Sequence, residues 1–174
     1  MILFNTYLSF AIFLSALFVH DAICADLPIV GWNEDVTFYV GPGNQAVSLE
    51  LKAKIDTGAK TSSLHAIVNS EFQKNGQTFV KFTTHSQGKR LELEAPLAKT
   101  NIVKTSDSEE GESRYFVTLD VCLGNTLFPV VVSLNERTKM AYPALLGRAF
   151  LNDHFLVNPG KAKLQGKPSC KRNS

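Results

Sequence analysis

Residues 54–66 read KIDTGAKTSSLHA, and this stretch decides the fold and the chemistry that the sequence predicts. The alternation of apolar and polar residues that ends at Ile55 is typical of a strand with one buried face. Asp56, Thr57 and Gly58 then predict a turn, because Asp and Gly are common turn residues and Gly allows a sharp bend. The stretch therefore predicts a carboxylate at the end of a strand. Taken alone, Asp-Thr-Gly is better explained by a purely structural turn.

Patterns typical of strands continue along the chain. Gly124-Asn125 separates two long apolar runs and predicts a β-hairpin. Pro129, in the second run, predicts an edge or a bulge there, because proline has no amide hydrogen to donate. The segments with a strand pattern are 36–40, 48–55, 79–83, 90–94, 115–123 and 127–134.

Two segments depart from this pattern. Residues 105–113 (TSDSEEGES) are polar and acidic and predict an exposed loop, whereas residues 148–153, after Gly147, predict one short helix. Many short strands with turn residues between them, and without an internal repeat, predict an all-β barrel or sandwich.

The N-terminal residues predict export. Residues 1–19 carry no charge, and small residues follow at Ala22, Cys24 and Ala25. This pattern predicts a signal peptide over 1–25, with no stable membrane insertion after its cleavage. The alternative is an uncleaved anchor, because about 20 apolar residues can span a bilayer. The domain is then expected over residues 26–160, followed by a basic tail over 161–174.

The tail holds five basic residues and no acid in its last 14 positions, whereas the whole chain has a net charge of +2. So short a basic end is expected to be frayed and solvated. No nucleic-acid motif accompanies it, so no nucleic-acid partner is predicted.

Two cysteines, Cys122 and Cys170, remain after the predicted cleavage. They could pair in an oxidising compartment, or Cys122, which lies in an apolar strand pattern, could be a buried free thiol.

A second element gives Asp56 more weight. In retropepsin-like aspartic proteases, an Asp-Thr-Gly-Ala loop is followed, late in the chain, by two apolar residues, a glycine and a short helix. Residues 56–59 and residues 145–148 (LLGR) resemble these two elements in that order. The resemblance implies a closed acid-protease-like barrel with one short C-terminal helix.

The chain from about residue 30 to 160 resembles a bacterial family of retropepsin-like domains often labelled ATP-dependent zinc proteases. The resemblance implies a bacterial origin, and with the predicted signal peptide the expected compartment is periplasmic or extracellular. The residues that carry the resemblance are Gly31-Trp32, 54–66, Phe82, His85, Glu94-Ala95-Pro96, Arg114-Tyr115, 145–148 and Phe155-Leu156-Val157.

These residues do not explain that label. The chain has no phosphate-binding G-x-x-x-x-G-K-[ST] motif, and no H-E-x-x-H motif for zinc. No cofactor or metal is therefore predicted. His65 and His85 remain weak candidates for metal-assisted hydrolysis, should they converge in space.

The mechanism that the resemblance implies needs two carboxylates that share one proton. The chain has a single Asp-Thr-Gly, so Asp56 is predicted to meet its counterpart across the two-fold axis of a homodimer and to cleave peptides or proteins. Either 84–89 or 105–113 is the candidate flap over the cleft. The residues expected to support the loop are Thr57, Gly58, Ala59, Thr61, Leu145, Leu146, Gly147 and Arg148.

The alternative belongs to another functional class. The same fold could serve as a non-catalytic, envelope-located domain that binds peptides or other proteins, because fold does not determine function.

Overall fold

The computed structural model describes residues 27–105 and 108–171. The predicted signal peptide lies outside the described residues. Within them, no helix is long and apolar enough to cross a membrane.

Strands dominate the described part of the chain, and one helix of four residues, α1, spans Arg148–Leu151. It ends two residues earlier than the sequence predicts. A single 3₁₀ turn covers Gly43–Gln45. The strands are β1 (Ile29–Val30), β2 (Asn33–Val40), β3 (Val47–Asp56), β4 (Ser62–His65), β5 (Ile67–Lys74), β6 (Gln77–Ser86), β7 (Lys89–Thr105), β8 (Ser108–Leu123), β9 (Thr126–Asn135), β10 (Ala144–Gly147) and β11 (Leu156–Val157).

Six strands close into a barrel. The order β2-β3-β10-β4-β9-β8 returns to β2 through antiparallel pairing of β8 with β2. The pairs β3–β10 and β4–β9 are parallel. Alternate residues of β3, such as Leu49, Ala53 and Ile55, face the core, because side chains alternate across a strand. The predicted all-β, closed, retropepsin-like barrel with one short helix is therefore confirmed.

The β8–β9 hairpin forms where the sequence predicts it. Leu123 pairs with Thr126, and Gly124 has φ +62°, a left-handed conformation that glycine adopts without strain. Pro129 lies opposite Asp120 of β8, whereas β4 pairs with β9 only from Val132 onward. Proline has no amide hydrogen to donate. Because β4 does not pair with β9 at Pro129, no hydrogen bond between these two strands is lost there.

Strands β7, β6 and β5 extend the sheet beyond β8 and pack back onto the barrel. The Thr84 hydroxyl donates to the carbonyl of His65 at 2.6 Å, and the Ser86 hydroxyl to that of Glu50 at 3.2 Å.

The predicted loop over 105–113 is wrong for Thr105 and for 108–113, which belong to strands. β7 runs to Thr105 and β8 begins at Ser108, with Val103 opposite Glu112. Backbone pairing between adjacent strands satisfies the amides and carbonyls whatever the side chains are, so a polar composition does not prevent a hairpin here.

Residues 158–171, the C-terminal strap, run along the start of β2, where the sequence predicts a frayed end from residue 161. The carboxylate of Glu34, fully buried in β2, accepts hydrogen bonds from the amides of Gly31, Leu164 and Gln165 at 2.6, 3.0 and 3.1 Å. A buried carboxylate needs such donors, and the strap supplies two of the three. This requirement is why the segment is fixed on the barrel.

The end of the strap is fixed as well. Cys170 forms a disulfide with Cys122 of β8, with 5.9 Å between the two Cα atoms. The amide of Ser169 donates to the carbonyl of Gly124 at 2.7 Å. Of the two alternatives for Cys122, the disulfide is the one observed.

Candidate active site

Asp56 is the last residue of β3, and β10 runs parallel beside it with Gly147 as its partner. The Asp56 side chain is 23% exposed. On the other side, the Ile55 amide donates to the carbonyl of Trp32 at 2.9 Å. The carboxylate therefore stands at the end of a strand that neighbours hold on both sides.

The loop after Asp56 folds around that carboxylate. Its Oδ1 accepts hydrogen bonds from the amides of Gly58 at 3.0 Å and Ala59 at 3.2 Å. The Ala59 amide also lies 3.3 Å from the carbonyl of Asp56. The carboxylate of Asp56 thereby accepts hydrogen bonds from backbone amides of its own turn, and these bonds fix its direction.

The Leu-Leu-Gly element lies directly against this loop. Leu145 and Leu146 are buried and pair with Lys54 and Ile55 of β3. A Cβ atom added to Gly147 would lie 2.7 Å from the carbonyl oxygen of Thr61, closer than real Cβ contacts allow. Glycine at 147 is therefore what permits the loop to approach β10.

A network of hydrogen bonds closes the junction. The amide of Arg148 donates to Ala59 at 2.8 Å, and the amide of Ala149 donates to Lys60 at 3.0 Å. The amide of Gly147 donates to the Ser62 hydroxyl at 3.1 Å. Residues 57–61 are thus attached to β10 and α1 along their length.

The side chain of Arg148 reaches back over the loop. Its Nη1 donates to the carbonyls of Thr57 and Gly58, both at 2.8 Å. Arg148 therefore binds the loop carbonyls, while Asp56 accepts from the loop amides.

We expect Arg148→Ala to lower the free energy of unfolding by about 1 kcal/mol, because two hydrogen bonds are lost at an exposed position. Urea unfolding measures this loss. Arg148→Lys keeps the charge but not the planar donor geometry, and should recover only part of it. An alanine variant as stable as the parent chain would contradict a role for Arg148 in holding the loop.

Sequence reasoning missed the buried polar groups behind the loop. The hydroxyl of Ser133 donates to the carbonyl of Ser62 at 3.2 Å, and the amide of Asn135 donates to the hydroxyls of Ser63 and Ser133 at 2.8 and 2.9 Å. Ser62, Ser63 and Ser133 are buried. Adjacent serines before a buried leucine were the available signal, because small polar residues in a strand pattern need internal partners.

Lys54 supplies the closest charge to Asp56, with 3.1 Å between Nζ and Oδ2. Burial acts to raise the pKa of Asp56. The hydrogen bonds from Lys54 and from the amides of Gly58 and Ala59 outweigh this effect, so the pKa lies below its ordinary value of 3.8. In a single copy of the chain, Asp56 is therefore an ionised base.

This lowered pKa has a consequence for stability. The ionised Asp56 stabilises the fold above pH 3.8, and the stabilisation is lost as the pH falls below that value. The difference in unfolding free energy between the parent chain and Asp56→Asn should be constant near neutral pH and should shrink as the pH falls below 3.8. Denaturant unfolding between neutral pH and pH 2, at about 0.1 M salt, measures it. A difference that grows on acidification would contradict a lowered pKa.

Arg137, which sequence reasoning did not single out, belongs to the surroundings of Asp56. Burial lowers the pKa of its guanidinium, while the negative charge of Asp56 acts to raise it. Its Nε donates to the carbonyl of Tyr142 at 3.1 Å, and the ring of Tyr142 meets that of Trp32 edge-on at 5.9 Å. The loop between β9 and β10 thus brings Arg137 and Tyr142 to this part of the molecule, where Tyr142 meets Trp32 from the segment between β1 and β2.

The structure brings His65 and His85 together, with their rings stacked at 5.9 Å. Nδ1 of His65 accepts from the amide of Arg137 at 2.9 Å. Burial lowers the pKa of His65, and the charges of His85 and Arg137 reinforce this effect against that of Glu136. Over 27–105 and 108–171, no group of three or more His, Cys, Asp or Glu side chains is placed to hold a metal ion.

The first candidate flap lies along β3 at a distance from Asp56. The turn over 84–89 is bound to Glu50 through Ser86 and through the Gln87 amide at 2.7 Å. Glu50 precedes Asp56 by six residues, which is about 20 Å along a strand. That the second candidate, 105–113, forms the flap stays a prediction.

Curated relatives share part of this domain. A probable alpha-L-glutamate ligase of Shewanella pealeana is 33% identical over 121 residues, which is 67% of this chain and 26% of that protein. A protein of the same description from Desulfotalea psychrophila is 30% identical over 113 residues, covering 63% of this chain and 24% of its own length. The chain therefore spans about a quarter of the curated relatives that it matches.

A solved structure and a family comparison cover more of the chain. A Legionella pneumophila protein of unknown function superposes with a TM-score of 0.63 at 28% identity, over 79% of this chain and 98% of that one. Residues 29–168, which include the Asp56 loop, Gly147 and most of the C-terminal strap, match the family described as RimB-like, retropepsin-like aspartic endopeptidase RimB. The chain belongs to this RimB-like family of retropepsin-like proteins.

Proposed function

We propose that the chain is an aspartic endopeptidase in which Asp56 residues from two copies form one catalytic site. The observation that carries the proposal is the position of Asp56, a partly exposed carboxylate at a strand end, with its loop held by its own Oδ1 and by Arg148. Membership of the RimB-like family supports the same chemistry.

Two carboxylates are needed because peptide hydrolysis requires a base and an acid together. The ionised carboxylate takes a proton from water, while the protonated one donates a proton to the carbonyl oxygen of the scissile bond. In one copy, the cation of Lys54 keeps Asp56 ionised. A second Asp56 across a two-fold axis raises one of the two pKa values, because like charges at close range cannot both remain ionised.

We propose further that the substrate is an acidic peptide containing glutamate. The curated relatives are named for alpha-L-glutamate ligation, and the matching region makes up about a quarter of each. Lys54 and Arg137 place positive charge near Asp56, which suits a substrate with carboxylate side chains. Because the sequence predicts a signal peptide, we also propose that cleavage takes place after export.

A pair of matched peptides tests this proposal. We expect a glutamate-rich peptide to be cleaved at least about tenfold faster than the same peptide with glutamine, because the lost charges meet Lys54 and Arg137. Raising the salt concentration should reduce the difference. Cleavage is followed by mass spectrometry, beside the solution mass of the protein from pH 4 to 7. Equal rates for the two peptides would contradict the acidic substrate, and cleavage by a strict monomer would contradict the shared site.

The second candidate is a non-catalytic domain that binds peptides. The Lys54–Asp56 ion pair favours it, since a carboxylate held ionised cannot donate a proton within one copy. This function predicts a stable monomer that binds the glutamate-rich peptide without cleaving it, and equal binding by Asp56→Asn. Fluorescence anisotropy of a labelled peptide distinguishes the two functions.

A further inference from the structure

The two cysteines of the disulfide differ in accessibility. Cys122, in β8, has 0% exposure, whereas Cys170, near the end of the C-terminal strap, is partly exposed. The residues on either side of Cys170, Ser169 and Lys171, are exposed as well. An external thiolate can therefore approach the disulfide from the Cys170 side, while the barrel covers Cys122.

We propose that Cys170 is the exchange cysteine of this pair and Cys122 the buried resolving cysteine. A thiol partner then breaks the disulfide that fixes the strap, and a disulfide partner re-forms it, in both cases by reaction at Cys170. The proposal concerns the strap and does not depend on proteolysis at Asp56. A small thiol such as glutathione serves as the probe.

The exchange follows from the chemistry of disulfides. The glutathione thiolate attacks Sγ of Cys170, a bond forms between those two sulfurs, and the Cys122–Cys170 bond breaks. Both electrons of the broken bond go to Cys122, which leaves as a thiolate and then takes a proton from solvent. A second glutathione thiolate releases reduced Cys170 and forms glutathione disulfide. The Cys122–Cys170 disulfide re-forms by the same steps in reverse, with glutathione disulfide as the oxidant.

The surroundings of Cys122 suit a leaving group. Its Sγ lies 3.2 Å from the amide nitrogen of Cys170. The amide is positioned to donate to sulfur as negative charge develops on it. Because Cys122 lies inside β8, opposite Thr37 of β2 and Leu127 of β9, it stays in place to attack a mixed disulfide on Cys170.

The strap connects this exchange to the Asp56 end of the barrel. The amide of Trp32 donates to Lys161 and that of Lys163 donates to Asn33, both at 2.8 Å. Trp32 in turn accepts from the amide of Ile55, next to Asp56. Opening the disulfide removes the covalent anchor and leaves the strap held only by its non-covalent contacts, such as those with Glu34 and Gly124. Reduction therefore loosens the outer neighbour of the strand that carries Asp56.

The location of the mixed disulfide tests the proposal. The oxidised full-length chain is treated briefly with limiting glutathione, quenched with acid and digested with trypsin. The three cysteines fall in separate tryptic peptides, 1–52, 115–137 and 164–171, so each adduct is identified by mass. We expect the adduct on Cys170 to exceed that on Cys122 at least about tenfold, because Cys122 reacts only when the structure opens locally. Equal adducts, an excess on Cys122, or a disulfide that resists glutathione until the chain unfolds would overturn it.

Two single variants give an independent measurement. Both variants keep Cys24; beside it, Cys122→Ser leaves Cys170 as a free thiol, and Cys170→Ser leaves Cys122. With glutathione disulfide, we expect the first variant to form its adduct at least about tenfold faster than the second. Circular dichroism establishes that both are folded, and the adduct map of the parent chain decides the question if either is not. Equal rates in two folded variants would overturn the assignment.

Discussion

Replacing Asp56 with asparagine should abolish peptide cleavage, with kcat/KM reduced by about 10³-fold or more. Asparagine can still accept hydrogen bonds from the amides of Gly58 and Ala59, so the loop should keep its conformation. It cannot act as a base toward water or share a proton with its counterpart. The loss should therefore appear in kcat, measured on the glutamate-rich peptide.

A matched control exists in the same chain. Asp35 is 27% exposed and pairs with Lys163 at 3.0 Å, much as Asp56 is 23% exposed and pairs with Lys54 at 3.1 Å. Asp35→Asn should therefore change stability near neutral pH by an amount similar to Asp56→Asn, yet leave cleavage intact. If both variants lose cleavage to the same extent, the effect belongs to stability and the catalytic role of Asp56 is contradicted.

Gly147→Ala should have the largest effect on stability, lowering the free energy of unfolding by about 3 kcal/mol. The added Cβ would lie 2.7 Å and 2.8 Å from the carbonyl oxygen and carbon of Thr61, and 3.0 Å from the carbonyl oxygen of Ala59. These are backbone atoms, so the loop itself must move. Cleavage should fall with stability, because the same movement displaces Asp56.

Gly160→Ala is the control for this substitution. A Cβ there would lie 3.4 Å from a side-chain oxygen of Asn158, an ordinary contact, and the residue is exposed. Urea unfolding should show a change below about 1 kcal/mol. A Gly147→Ala variant as stable as Gly160→Ala would show that the close approach of β10 to the loop is not needed.

The strands that sequence analysis predicted are those that show either an alternation of apolar and polar residues or an apolar run in the sequence. The alternation before Asp56 and the runs on either side of Gly124 correspond to β3, β8 and β9. β4 was missed because Ser62 and Ser63 are buried polar residues with partners on another strand, which no local pattern reveals. The polar 105–113 segment was misjudged for the converse reason, since pairing with a neighbouring strand does not require apolar side chains.

The candidate site was predictable where it is local in sequence. Residues 56–61 and 145–148 meet as the motif implies, whereas Arg137 depends on how the loop after β9 folds back. The C-terminal strap was misjudged because its charges are visible in the sequence and its anchors are not. Glu34 and Cys122 lie 130 and 48 residues from their partners. Contacts over such separations follow from the closed barrel.

The most direct test of the central claim mixes the parent chain with Asp56→Asn. Equal amounts are unfolded with the disulfide intact, refolded together and assayed on the glutamate-rich peptide at constant total protein. If each site needs Asp56 from both copies, random pairing leaves activity in about one quarter of the dimers, so the rate falls to about one quarter of the parent rate. A rate of about one half would mean that each copy acts alone, and would contradict a catalytic site shared across a homodimer.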